Sequence, residues 1–81
     1  MTAAHQVVLY SSPGCHLCEE AATLLRDLQR SRDFAFFEVD IHSDPELERR
    51  FLLEIPVIEV DGVVVTQAPV EIDRVRQVVT P

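Results

Sequence analysis

Two residues in this chain have the types and spacing to do chemistry together: Cys15 and Cys18, separated by His16 and Leu17. A thiolate is both a nucleophile and a soft metal ligand, so the pair admits three readings. It can cycle between dithiol and disulfide. Residues i and i+3 of a helix share a face, with Cβ atoms about 5–6 Å apart. A disulfide needs about 3.5–4.5 Å, which a slightly tightened first turn supplies. The pair can instead form half of a zinc site, which requires four ligands. Or it can hold part of an iron–sulfur cluster shared between two copies. There is no second Cys-x-x-Cys pair, and His5, His16 and His42 are scattered. Redox exchange is therefore the favoured reading, and no metal ligands are assigned.

The flanking residues place the pair where a strand hands over to a helix. Gln6 to Tyr10 carries the apolar run Val7-Val8-Leu9, suited to a buried strand. Ser11-Ser12-Pro13-Gly14 is a loop. From Cys15 the pattern turns helical: Leu17, Ala21, Leu24 and Leu28 recur at spacings of three and four, with Cys18, Ala22 and Leu25 beside them. This helix is expected to run to about Arg30. Unpaired N–H groups and the dipole at its N-terminus favour a thiolate at Cys15. Gly14 removes side-chain bulk from the approach, and His16 adds positive charge when protonated. Glu19 and Glu20 oppose a thiolate, so a moderate rather than extreme activation is expected. Cys15 then acts as the exposed attacking thiol and Cys18 as the shielded resolving thiol.

Phe34 to Ile41 is rich in aromatic and β-branched residues and reads as a strand, its aromatics as core. Asp44-Pro45 has an N-cap followed by proline at the first helical position, predicting a helix over roughly Pro45 to Leu53. Pro56 opens a strand at Val57 to Val60. Asp61-Gly62 signals a two-residue hairpin, and Val63 to Thr66 returns. Pro69 is expected to start a last helix with Val70, Ile72, Val75, Val78 and Val79 as its apolar positions. The order β-α-β-α-β-β-α, with a right-handed βαβ unit and a hairpin, predicts an α/β fold with a four-stranded mixed sheet flanked by helices.

The 81 residues make one domain, 1–81, with residues 1–5 expected to be a loose tail. The net charge is −7, all seven cations are arginine, and no basic run exists. That argues against nucleic acid and anionic membrane surfaces as partners. No apolar run approaches the roughly 20 residues of a membrane span, and the N-terminus lacks a signal core. A cytoplasmic monomer is expected. In a reducing compartment a cysteine pair is more often catalytic or metal-binding than a structural staple.

Tyr10-Ser11-Ser12-Pro13-Gly14-Cys15-His16-Leu17-Cys18 resembles the active-site segment of glutaredoxins and glutaredoxin-like proteins of the thioredoxin superfamily. Cys-His-Leu-Cys followed by Glu19-Glu20-Ala21 is most similar to a group of small bacterial glutaredoxin-like proteins. The likeness extends to Ile55-Pro56-Val57 and Val60-Asp61-Gly62-Val63, from Val7 to Val79 in all. It implies a thioredoxin-like fold of the glutaredoxin type and a thiol–disulfide oxidoreductase acting through Cys15 and Cys18. Its substrate would be gripped around Pro13, Gly14, His16, Ile55 and Pro56. It further implies a cis Ile55–Pro56 bond beside the cysteines, with the backbone of Ile55 pairing with substrate like an added strand. Partners would be protein disulfides, with a reductase or glutathione as electron donor and no resident cofactor beyond the disulfide. The chain departs from the family in having Thr66-Gln67-Ala68-Pro69 where glutaredoxins usually carry a Gly-Gly pair, and in lacking lysine altogether. Weak glutathione binding is therefore expected. The alternative is a redox-sensing or metal- or cluster-holding binding module on the same fold.

Overall fold

A computed structural model describes residues 3–80. Four strands and three α-helices follow one another as β1 (Gln6–Ser11), α1 (His16–Leu28), β2 (Ala35–Asp40), α2 (Pro45–Phe51), β3 (Val57–Val60), β4 (Val63–Gln67) and α3 (Ile72–Val78). A single 3-10 turn over Ile41–Ser43 joins β2 to α2. The sheet order is β2-β1-β3-β4. β1 and β2 are parallel, whereas β3 and β4 run antiparallel to their neighbours. This is the mixed four-stranded thioredoxin-like arrangement. No helix among the described residues is long and apolar enough to cross a membrane.

Alternation along each strand divides the sheet into two unequal faces. Val7 and Leu9 of β1 and Ile58 and Val60 of β3 meet Ala21, Ala22, Leu25 and Leu28 of α1, together with Phe34, Val75 and Val79. The opposite face is covered only at the end where β1 finishes. There Ile41, Phe51 and Val57 form a second cluster, with Tyr10, Leu47 and Ile55 packed against it. α2 is seven residues long and cannot cover more. Phe37, expected in the core, is therefore half exposed, at 50%. Phe34 and Phe36 do pack on the core, Phe36 with the Arg26 guanidinium 5.9 Å from its ring centre.

Other boundaries differ from the sequence expectation for local reasons. The buried stripe of α1 is Cys18, Ala21, Ala22, Leu25 and Leu28, and Leu17 and Leu24 face solvent. α1 ends at Leu28 rather than near Arg30, and the Gln29 side chain donates to the Phe34 carbonyl at 3.0 Å, turning the chain back. Ile41 leaves the strand for the 3-10 turn. α2 starts as expected, with Asp44 accepting from the Glu46 N–H, but stops at Phe51. The last helix starts not at Pro69 but after Glu71, whose N–H is held by Thr66 Oγ1 at 3.0 Å. The Asp61-Gly62 hairpin forms as read: both residues have positive φ, 51° and 86°, the geometry of a two-residue turn matched to strand twist.

The expected loose tail does not hold for Ala4 and His5, while Met1 and Thr2 lie outside the described residues. The Ala4 N–H donates to Asp33, and the His5 carbonyl accepts from Ala35. The His5 ring bridges Asp61 Oδ2 at 2.7 Å and Thr80 Oγ1 at 2.8 Å. Hydrogen bonds from His5 and then from the Gln6 N–H hold the Asp61 carboxyl below its ordinary range. A depressed carboxyl contributes stability that is present above its unfolded value, about 3.9, and is lost as pH falls through the folded one. Asp61→Asn keeps the turn geometry but not the charge. The melting-temperature gap between wild type and Asp61→Asn should narrow as pH falls below about 4, as read by thermal denaturation across an acid series.

Candidate active site

The segment between β1 and α1 is built by four residues. Pro13 presets its own φ, and Gly14 adopts φ +76°. Proline at the second and glycine at the third position of a four-residue turn is the type II pattern. The Cys15 N–H closes it by donating to the Ser12 carbonyl at 3.1 Å. The chain emerges with Cys15 at φ −84°, ψ 104°, as the N-cap of α1. Its Sγ accepts the Cys18 N–H at 3.2 Å, so a sulfur fills the place usually taken by a Ser or Asp oxygen. Cys15 and Cys18 are joined as a disulfide, with Cα atoms 5.2 Å apart. Cys18 is 1% exposed, packed on the core face of α1, whereas Cys15 is only partly covered.

The structure brings most of the sequence-selected residues to this end of the sheet. Pro13, Gly14 and His16 are exposed around the cysteines. The His16 ring points outward, 3.8 Å from carboxylate oxygens of both Glu19 and Glu20. Tyr10 of β1 pairs with Val57 of β3, which sets Ile55 and Pro56 opposite the end of β1, next to the turn. Pro56 is fully buried and the Ile55–Pro56 peptide is cis. Ile55 is partly covered, and its N–H donates to the Phe51 carbonyl at 3.0 Å.

The surroundings are acidic and aromatic. A cleft of about 400 Å3 beside the turn is lined by Ser11, Ser12, Pro13, Gly14, Glu19, Glu38 and Asp40. Ser11 donates to Glu38 at 3.0 Å, and Arg26 lies 3.9 Å from the same carboxylate. On the other side Tyr10 stacks on Phe51 with ring centres 4.7 Å apart, and its hydroxyl donates to Glu59 at 3.2 Å. Burial, and then the nearby Glu59 carboxylate, push the Tyr10 phenol up, so it stays neutral at physiological pH. Among the described residues no group of three or more His, Cys, Asp or Glu is placed to hold a metal ion.

Ser12, His42 and Glu48 also come together beside the turn, a grouping that no local sequence pattern marks. The Ser12 hydroxyl meets His42 Nε2 at 2.9 Å, and His42 Nδ1 meets Glu48. The signal available was topological. Two adjacent parallel strands finish at the same edge of the sheet, so the residues after β2 must lie beside those after β1.

The chain belongs to the glutaredoxin-like domain family (DUF836), whose model matches residues 6–80. Among solved structures it is similar to protein Ne2328 from Nitrosomonas europaea, at 26% identity and TM-score 0.83, covering 94% of this chain and 92% of that one. It is also similar to an X. campestris protein solved by X-ray methods, at 33% identity and TM-score 0.70, covering 88% and 91%. A thioredoxin from Halobacterium salinarum aligns at 17% identity and TM-score 0.59, over 78% of this chain and 58% of that one, a likeness of fold. No curated protein sequence matches the chain.

The turn yields a direct prediction. A Cβ at Gly14 would meet no atom within 4 Å, so the cost of Gly14→Ala is conformational alone. Ala in a left-handed conformation costs about 1–2 kcal/mol. Urea denaturation should show a loss of that size for Gly14→Ala and a smaller one for Gly14→Asn, because Asn tolerates the same region.

Proposed function

We propose that the protein is a thiol–disulfide oxidoreductase that reduces protein or small-molecule disulfides through Cys15 and Cys18. The observation that carries this reading is the asymmetry of the pair: a partly open Cys15 at a helix N-cap, and a Cys18 that is 1% exposed behind it. The Cys15 thiolate attacks one sulfur of a substrate disulfide. A mixed disulfide forms, and one substrate thiolate leaves and takes a proton. Cys18 gives up its proton and attacks the Cys15 sulfur, which releases the second substrate thiol. Two electrons and two protons pass to the substrate, and the Cys15–Cys18 disulfide remains. An external dithiol system or glutathione then restores the dithiol.

Pro13, Gly14, His16, Ile55 and Pro56 form the proposed substrate-binding rim. The Ile55 N–H is engaged by Phe51, so strand-like pairing with substrate is proposed through the Ile55 carbonyl. Pro56, fully buried beside it, would hold the backbone of Ile55 in place for that pairing. A cytoplasmic monomer acting in electron transfer, without nucleic acid or membrane partners, completes the reading.

Glutathione is proposed to bind weakly. In the stretch after β4 the Ala68 N–H donates to Glu54, the Glu71 N–H donates to Thr66, and Pro69 has none. These donors are not free for a carboxylate of the tripeptide. Arg49 and Arg74 are shared with Glu46 and Glu71 in exposed pairs, which lessens their pull on an anion without removing it, and Arg50 lies over the Phe51 ring.

Two measurements test this. Iodoacetamide at neutral pH should label Cys15 of the reduced protein well ahead of Cys18, as read by peptide mass spectrometry; faster labelling of Cys18 in the folded protein reverses the assignment. In an assay on a small mixed disulfide coupled to glutathione, Cys18→Ser should lose most activity, at least about tenfold. Near wild-type turnover by that variant would make this an ordinary monothiol-competent glutaredoxin.

A further inference from the structure

We infer that His42, backed by Glu48, is a positioning residue for the redox turn and sets how strongly the Cys15–Cys18 disulfide closes. The inference rests on the reading that this pair cycles. Ser12 is the first residue of the turn, and it makes two bonds. Its carbonyl receives the Cys15 N–H at 3.1 Å, and its hydroxyl meets His42 Nε2 at 2.9 Å. His42 is itself fixed at two more points: Nδ1 on Glu48 of α2, and its backbone N–H donating to Asp40 Oδ1 at 2.9 Å. The turn that carries Cys15 is thus moored to the corner between β2 and α2. α1, which carries Cys18, is moored separately through the core. Cys15 is held from both sides, as the N-cap of α1 and through its N–H on the Ser12 carbonyl, and the Ser12–His42 bond anchors the turn side of that hold.

The order Ser, His Nε2, His Nδ1, carboxylate is also that of a hydrolytic triad. The turn argues against a nucleophilic role for Ser12. Pro13, which follows it, has no N–H, and the Cys15 N–H is already taken by the Ser12 carbonyl. Neither can stabilise an oxyanion formed at Ser12. What the network reaches is the turn that carries Cys15.

Its effect is on effective concentration. Closing converts two thiols to one disulfide, and an oxidised partner becomes a dithiol. With dithiothreitol as that partner, protein dithiol plus oxidised dithiothreitol gives protein disulfide plus reduced dithiothreitol, with two electrons and two protons transferred. Holding Cys15 in the closing geometry before the bond forms removes an ordering cost and favours the disulfide.

The test is the closing constant, measured by equilibrating the full chain across ratios of oxidised to reduced dithiothreitol and trapping free thiols with a maleimide. No turnover is required. Ser12→Ala and His42→Ala should each weaken closing by about two- to fivefold, the share expected of a half-exposed hydrogen bond. The double variant should be no worse than either single one, because both remove the same link. Ser12→Thr, which keeps the hydroxyl, should restore wild-type closing, a rescue that loss of packing would not show. Glu48→Gln, which touches no turn residue, should shift the constant in the same direction by less. Equal closing constants in wild type, Ser12→Ala and His42→Ala overturn the inference alone. A Cys15–Cys18 disulfide that forms at no ratio, in any variant, overturns the oxidoreductase reading with it.

Discussion

Four residues, Ser12 to Cys15, have to convert a strand buried on one face into a helix packed on that same face. That requirement dictates most of what surrounds them. Proline presets the first bend, glycine supplies the positive φ, and the hydrogen bond from Cys15 to Ser12 closes the turn. Because the turn is so short, the first residue able to cap the helix is Cys15, and its sulfur takes up the Cys18 N–H. One tight reversal thereby produces proximity, an anion-stabilising helix end and a difference in exposure between the two thiols.

The rest of the fold holds the ends of that turn. β1 lies between β2 and β3 in the sheet, so its direction is fixed from both sides. Parallel pairing with β2 brings the 3-10 turn and α2 to the same edge, and antiparallel pairing with β3 brings Ile55 and Pro56 there. The short α2 covers only this end of the second face, with Tyr10, Phe51 and Ile55 at its base. The other end of that face is left open, which is where Phe37 is exposed.

What was legible in the sequence was the chemistry that local rules decide. Cys-x-x-Cys after Pro-Gly, the Asp44-Pro45 helix start and the Asp61-Gly62 hairpin each carry their own backbone requirement, and each stands where it was read. What was hidden depended on neighbours distant in the chain. Leu17 and Leu24 have helical spacing, but the core lies against the adjacent stripe through Cys18 and Leu25. Pro69 resembles a helix start, yet Thr66 caps the Glu71 N–H and delays the helix. His5 looks like tail until Asp61 and Thr80 arrive from the far hairpin and the C-terminus. Of the site, the cysteines and their flanks were readable. The Ser12–His42–Glu48 network was not, since Ser12 stands 30 residues before His42 and only the sheet brings them together.

The end of α1 is proposed to make Cys15 the reactive thiolate. This is tested most directly by following thiolate absorbance of reduced Cys18→Ser, in which Cys15 is the only thiol, across pH. Cys15 should ionise below the ordinary thiol value of about 8.5. Ionisation at or above that value would contradict it.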